Sequence, residues 1–137
     1  MAVVEELIRE ESDGSLSFGN YMLDQKTKKA DFPYQGDKYK VKTFNEITKL
    51  EKNGALLYES VPGTAVSNFV GDNNGVSFKL EAVDDANVTL DLEPSVEYKI
   101  FMDGVEAGRM KTNLGGKLSF SAQLSEGCQS EVKVTKC

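Results

Sequence analysis

Apolar and polar residues alternate in five segments of the second half of this chain, and this pattern constrains the fold more than any other feature. A strand with one buried face places every second side chain in the core and the others in solvent. The five segments are VSFKLE (76–81), NVTLDL (87–92), YKIFM (98–102), KLSFSAQL (117–124) and EVKVT (131–135). We therefore expect one central residue of each strand in a single core, namely Phe78, Leu90, Ile100, Phe120 and Val134.

Pairs of residues that favour tight turns separate these segments, because glycine and asparagine adopt positive φ angles at low cost. The pairs are Asn74-Gly75, Asp103-Gly104 and Gly115-Gly116. The second pair predicts a two-residue hairpin. Its expected cross-strand partners are Met102 with Val105 and Ile100 with Ala107.

The first half of the chain also has the features of β structure but alternates less regularly. Asp13-Gly14 and Asn53-Gly54 predict two hairpins. Phe44, Ile47 and Leu50 fit a short helical stripe. The preceding segment YKVKTF favours strand, and strand is our prediction for this region.

The tripeptide Val61-Pro62-Gly63 is the predicted joint between the halves, because proline removes a ladder donor and glycine frees the turn. After it, strands recur about every ten residues with turn signals between them, which is typical of an immunoglobulin-type sandwich. The sequence thus predicts an all-β, antiparallel protein with two parts. They are an N-terminal β-rich region, residues 1–63, and an immunoglobulin-like β-sandwich domain, residues 64–137.

Charge and hydropathy exclude two classes of partner. The chain has 22 acidic and 16 basic side chains and a net charge of −6, which repels a phosphate backbone, so we expect no nucleic-acid partner. The tight basic group of Lys26, Lys28 and Lys29 is interpreted as a solvated loop. No segment approaches the ~20 apolar residues of a membrane span, and the acidic start MAVVEELIREE lacks the basic leader of a signal peptide. We therefore expect a cytoplasmic protein without a membrane span.

The lack of histidine in the chain excludes Ser-His-Asp and Cys-His nucleophile systems and histidine-based metal sites. Cys128 and Cys137 are too few for a thiolate metal site, and we expect both to be free thiols. The loop Asp72–Gly75 lacks the spacing of an EF-hand and is interpreted as a turn. Acidic residues are numerous, but nothing singles out a catalytic pair among Glu5, Glu6, Glu10, Glu11, Asp84 and Asp85. The sequence predicts no enzyme, no catalytic residue, no metal and no cofactor.

Four segments together resemble a family of short proteins of anaerobic Firmicutes that genome pipelines often call "endosialidase". They are MAVVEELIREESDGSLSFGNY (1–21), YKVKTFNEITKLEKNG (39–54), LYESVPGTAV (57–66) and KTNLGGKLSFS (111–121). Sialidase-type sites hold a sialic acid carboxylate with three arginines. This chain has only Arg9 and Arg109, and it has no S-x-D-x-G-x-T-W box. The resemblance therefore implies no sialidase active site.

Our main functional hypothesis is a protein that acts through protein–protein contacts, as a homo-oligomer formed by edge-strand pairing. The N-terminal segment is rich in β-formers and carries acids between its apolar residues, which suits a sheet edge. Its apolar residues form the candidate interaction edge, namely Val3, Val4, Leu7 and Ile8.

The alternative hypothesis is an accessory module that binds a carbohydrate or another ligand. Sugar-binding sandwiches use exposed aromatic platforms, and the chain has no tryptophan. Tyr39 and Tyr98 lie on faces that are expected to be buried, so the platform would have to come from Tyr21, Tyr34 and Tyr58. An enzyme is the third possibility and would need a carboxylate pair.

Overall fold

The computed structural model describes residues 3–137, which form thirteen strands and no helix. No described segment could therefore cross a membrane as a helix. The strands are β1 (Ile8–Glu10), β2 (Leu16–Phe18), β3 (Thr27–Tyr34), β4 (Asp37–Thr43), β5 (Thr48–Lys52), β6 (Ala55–Val61), β7 (Ala65–Asp72), β8 (Gly75–Glu81), β9 (Ala86–Asp91), β10 (Glu97–Met102), β11 (Val105–Lys111), β12 (Lys117–Ala122) and β13 (Gln129–Lys136).

The strands form two antiparallel sheets that pack as a β-sandwich, which confirms the predicted all-β class. The first sheet has the order β1-β2-β7-β8-β13-β10-β11, and the second has the order β12-β9-β6-β5-β4-β3. The two sequence halves are interleaved, because β2 pairs with β7 and β6 pairs with β9. One hydrophobic core runs from Ile8 to Val134. Residues 3–63 and 64–137 therefore share a core.

Aromatic side chains fill the centre of this core. Phe78 stacks on Phe69 with ring centroids 5.5 Å apart, and Tyr58 meets Phe78 edge-on at 5.8 Å. Phe18 adds a further edge-on contact to Tyr58 at 5.2 Å. Such geometry is the preferred one for aromatic pairs, and each pair adds about 0.5 to 1.5 kcal/mol beyond area burial.

Four of the five central residues expected in the core are buried there, namely Phe78, Leu90, Ile100 and Val134. Phe120 packs against the core but is only partly buried, because β12 is the outermost strand of the second sheet. Leu92 and Met102, which alternation also points inward, are partly buried as well. Alternation thus gives the face of each strand correctly and overstates burial near the edges.

The helical stripe is wrong for residues 44–50, where the preferred strand prediction holds in part. Leu50 lies on β5, while Phe44 and Ile47 lie in the β4–β5 connection and are linked by a backbone hydrogen bond from Phe44 N to Ile47 O. The lysines interpreted as a loop also need correction. Lys28 and Lys29 are exposed on β3, the outer strand of the second sheet, because a strand at an edge can be polar on both faces.

The predicted turns are largely confirmed, with one shift in register. Asn53-Gly54 joins β5 to β6, and the Asp13-Gly14 turn joins β1 to β2. Between β7 and β8 the turn residues are Asn73 and Asn74 rather than Asn74-Gly75. The Asp72 side chain fixes this turn, since its Oδ1 accepts hydrogen bonds from the backbone N–H groups of Asn74 and Gly75.

The hairpin of β10 and β11 turns at Asp103 and Gly104, whose φ angles are +53° and +83°. Met102 lies opposite Val105, as the sequence predicts. Ile100 lies opposite Gly108 instead of Ala107, because a bulge inserts one extra residue into β11. The bulge changes the register of everything beyond it.

We expect Gly104→Ala to lower the free energy of unfolding by about 1 kcal/mol, since a side chain at positive φ costs 1 to 2 kcal/mol and glycine avoids that cost. Nothing lies within 4 Å of the added Cβ, so backbone strain alone sets the loss. Urea denaturation at equilibrium measures it. An unchanged midpoint would contradict the positive-φ turn.

Candidate functional sites at a sheet edge and in a cleft

The N-terminal segment lies at a sheet edge, as expected, but its apolar side chains are not a free surface. Val4 and Ile8 are buried in the chain's own core, and Val3 and Leu7 are partly buried. Val4 N donates to the carbonyl of Gly19, and Gly19 N donates to the carbonyl of Leu7. The proposed interaction edge therefore needs correction, because these residues are already occupied within the molecule.

The edges formed by β1 and β3 both carry features that hinder pairing with another chain. β1 has only three residues, and Arg9 in it contacts the carboxylates of Glu6 and Glu11 at 3.1 and 3.0 Å. β3 contains a bulge between Lys29 and Phe32, and its Pro33 has no backbone donor. Short, charged, bulged and proline-containing edges are the usual means of blocking edge-to-edge contact.

The edge formed by β11 also has a bulge, at Ala107, and an ion pair between Arg109 and Glu106 at 3.7 Å, but it differs in length and exposure. It is the only strand among residues 3–137 that has no buried residue, so both of its faces are open. Val105 and Met110 share the face of their partners Met102 and Tyr98, and they are 69% and 39% exposed. No described strand pairs with the outer side of β11.

The hydrogen-bond pattern shows which backbone groups of β11 point outward. In an antiparallel pair, alternate residues bond to the partner strand and the others face away. Val105 closes the two-residue turn, and Thr112 N donates to the carbonyl of Val96 at the other end of the hairpin. This alternation continues inward from Val105 and from Thr112, with the extra residue of the bulge between them. The N–H and C=O groups of Glu106 and Arg109 therefore face away from β10.

The three tyrosines expected to form an exposed platform are buried. Tyr21, Tyr34 and Tyr58 are 4%, 8% and 0% exposed. Each hydroxyl is bonded within the chain: Tyr21 Oη donates to a carboxylate oxygen of Glu81 at 3.0 Å, Tyr34 Oη donates to the carbonyl of Gly14 at 2.6 Å, and Tyr58 Oη lies 2.8 Å from Thr64 Oγ1. Burial raises the pKa of Tyr21 to about 12, so this hydroxyl is a donor at neutral pH. A sugar platform of these three residues is therefore wrong.

Tyr34 nevertheless contributes to a cleft of about 530 Å³ that opens between the sheets at one end of the sandwich. Apolar side chains form its walls, namely Leu16, Leu57, Phe69, Val76, Leu90 and Leu92. Three tyrosines also line it, namely Tyr34, Tyr39 and Tyr98. The rings of Tyr34 and Tyr39 meet edge-on at 5.4 Å.

Acidic side chains predominate at the mouth of this cleft, where Asp13, Asp72, Asp91 and Glu93 surround a single lysine, Lys52. Asp91 is paired with Lys117 at 2.7 Å, and Glu93 is paired with Lys136. Lys52 is itself paired with Asp37 at 3.6 Å. The mouth is therefore negative overall, even after these ion pairs are counted.

The remaining candidate residues do not assemble into a site. Asp84 and Asp85 shape a turn, because Asp84 Oδ1 accepts from Asp85 N and Asp85 Oδ1 accepts from Leu124 N. Cys128 and Cys137 are exposed and unpaired, which agrees with the expected free thiols. Within residues 3–137, no group of three or more acidic or cysteine side chains is placed to hold a metal ion.

The two arginines lie at opposite edges of the seven-stranded sheet, Arg9 on β1 and Arg109 on β11, so they cannot hold one carboxylate together. Comparison of the chain with protein-family models, with curated proteins and with solved structures found no match. Function is therefore inferred from the geometry of the β11 edge and of the cleft.

Proposed function

We propose that this protein is a non-catalytic β-sandwich that associates with a second copy of itself through antiparallel pairing of β11 with β11. The observation that carries the proposal is the exposure of β11 on both faces, together with its outward backbone groups. An edge strand of seven residues without proline is a template for strand addition.

The sequence of β11 is complementary to itself in one antiparallel register. With the two-fold axis between Ala107 and Gly108, Glu106 of each copy faces Arg109 of the other. These are the residues whose backbone groups point outward, so the same register satisfies hydrogen bonds and charge. On the opposite face, Val105 meets Met110 of the second copy and covers apolar surface that is now exposed. The isologous contact closes as a dimer and leaves no further β11 edge.

The association is expected to be weak. Pairing of two seven-residue strands buries less than the roughly 1,200 Å² of a stable interface. Exposed ion pairs contribute only about 0 to 1 kcal/mol each, and salt screens them. We therefore expect a concentration-dependent equilibrium between monomer and dimer, rather than a permanent oligomer.

Charge reversal on β11 tests the proposal. Glu106→Arg or Arg109→Glu alone places like charges opposite each other in the dimer and should shift the equilibrium toward monomer. The double variant Glu106→Arg/Arg109→Glu restores opposite charges and should recover the parent behaviour. Sedimentation velocity at low salt, at protein concentrations from about 10 μM to 1 mM, covers the range in which a weak dimer dissociates into monomers.

Arg9→Glu is the matched control, because it makes the same charge change on β1, at the opposite edge of the sheet. It should leave the β11 dimer intact. A parent protein that is monomeric throughout the concentration range contradicts the proposal. A double variant that stays as monomeric as the single variants also contradicts it. If only Arg9→Glu loses the dimer, the interface lies at β1 and not at β11.

A further inference from the structure

We infer that the cleft between the sheets binds a small organic cation with an apolar body, such as an arylalkylamine. Its volume of about 530 Å³ lies within the roughly 300 to 1,000 Å³ of small-molecule sites, and its lining combines apolar side chains with acidic ones, which suits a ligand that has an apolar body and a positive charge. The cleft is separate from the β11 edge, so ligand binding there does not depend on self-association.

Tyr39 is the residue that points to a ligand. It is 5% exposed and lines the cleft, yet its hydroxyl has no hydrogen-bond partner among residues 3–137. The neighbouring hydroxyls do have partners, since Tyr34 Oη donates to the carbonyl of Gly14 and Tyr98 Oη accepts from Glu93 N. The hydroxyl of Tyr39 is thus the one among these three that no group of the described residues occupies, and it is free to bond a polar atom of a ligand in the cleft.

The Tyr39 hydroxyl is also reachable. No side-chain nitrogen or oxygen among residues 3–137 is both sealed from solvent and without a partner, so the small exposed area of Tyr39 includes its Oη. Burial and then the nearby charge of Asp37 raise the pKa of Tyr39, and the group stays a neutral hydroxyl at physiological pH. Its lone pairs can therefore accept a hydrogen bond from an ammonium group.

The charge at the mouth selects the class of ligand. When the paired groups are included, the carboxylates at the cleft exceed the lysines by two, which attracts a cation and repels an anion. Asp72 adds to this effect, because its Oδ1 accepts only backbone N–H groups and it has no basic partner within 4 Å among the described residues. The faces of the Tyr34 and Tyr39 rings offer a further attraction for a positive charge.

Three probes of matched shape test the inference: phenethylamine, 2-phenylethanol and 3-phenylpropionate. Two-dimensional ¹H–¹⁵N NMR of the full chain follows the backbone amides that surround the cleft, such as those of Gly14 and Val76. We expect the amine to bind most tightly, the alcohol less tightly and the carboxylate least. The inference is overturned if none of the three probes changes the chemical shifts around the cleft at about 10 mM. It is also overturned if the carboxylate causes the largest changes.

Two variants locate the binding. Tyr39→Phe keeps the ring and deletes only the hydroxyl, so the affinity for phenethylamine should fall about tenfold while 2-phenylethanol is affected less. Leu57→Trp places a larger side chain against the cleft wall and should abolish binding of all three. The dispersion of the same spectra reports whether each variant is folded. Parent-like binding of phenethylamine by folded Tyr39→Phe overturns the assignment of this residue.

Discussion

Phe78→Ala is expected to lower the free energy of unfolding by about 3 to 5 kcal/mol, the usual cost of truncating a buried phenylalanine. Phe78 is 2% exposed and lies on β8, near the middle of the seven-stranded sheet. Its ring contacts Phe69 and Tyr58, so truncation removes two aromatic contacts and leaves a cavity between the sheets. Equilibrium unfolding in urea measures the loss. Because whole domains are stable by only about 5 to 15 kcal/mol, this loss is a substantial fraction of the parent stability.

Phe120→Ala is the matched control, since it deletes the same atoms at a partly buried position on the edge strand β12. We expect it to lose about half as much free energy, because less apolar area leaves water when Phe120 folds. The difference between the two losses of free energy thus measures how much more fully the sandwich buries Phe78 than Phe120. Equal losses would mean that the second sheet covers Phe120 more completely than its contacts indicate.

The same pair of residues shows what alternation in a sequence can predict. The period of two identifies which side chains face inward, and it does so correctly for both Phe78 and Phe120. It carries no information about whether the opposite sheet extends over a given strand. Burial of Phe120, Leu92 and Met102 was therefore overestimated, since each depends on where the neighbouring sheet ends.

The β11 edge could have been found in the sequence from a signal of the opposite kind. VEAGRMK follows the strongest hairpin turn of the chain, but it lacks the alternation of the other strands in this half. A segment that must pair by its turn, yet shows no apolar face, indicates a strand exposed on both sides. The N-terminal segment, in contrast, has apolar residues because Val4 and Ile8 enter the core.

The sequence pattern does not predict the cleft. Alternation predicts that Tyr39 and Tyr98 face inward, and both are buried. Whether a buried hydroxyl finds a partner depends on turns that are distant along the chain. The partner of Tyr34, for example, is the carbonyl of Gly14 in the turn between β1 and β2. Tyr21 bonds to Glu81, 60 residues along the chain, and Tyr58 bonds to Thr64 beyond the end of its own strand, and the alternation of residues predicts neither contact.

Gly75→Ala is expected to destabilise the fold by about 3 kcal/mol or more, because it combines backbone strain with a steric clash. Gly75 begins β8 at a φ of +147°, which L side chains rarely adopt. An added Cβ would lie 1.8 Å from the carbonyl oxygen of Val134 and 3.1 Å from the Cα of Thr135. Both of those atoms belong to the backbone of β13, so no side-chain rotation can relieve the contact.

The consequence would extend beyond the turn, because β13 lies between β8 and β10 in the first sheet. Moving β13 away from Gly75 strains the pairing of Val76 with Val134 and the hydrogen bond from Lys136 N to the carbonyl of Asn74. Gly71→Ala in the same β-hairpin is the matched control, since its added Cβ would have only an ordinary contact at 3.8 Å. It should leave the urea midpoint nearly unchanged. If Gly75→Ala unfolds at the same urea concentration as Gly71→Ala, the close approach of β8 and β13 at this point is wrong.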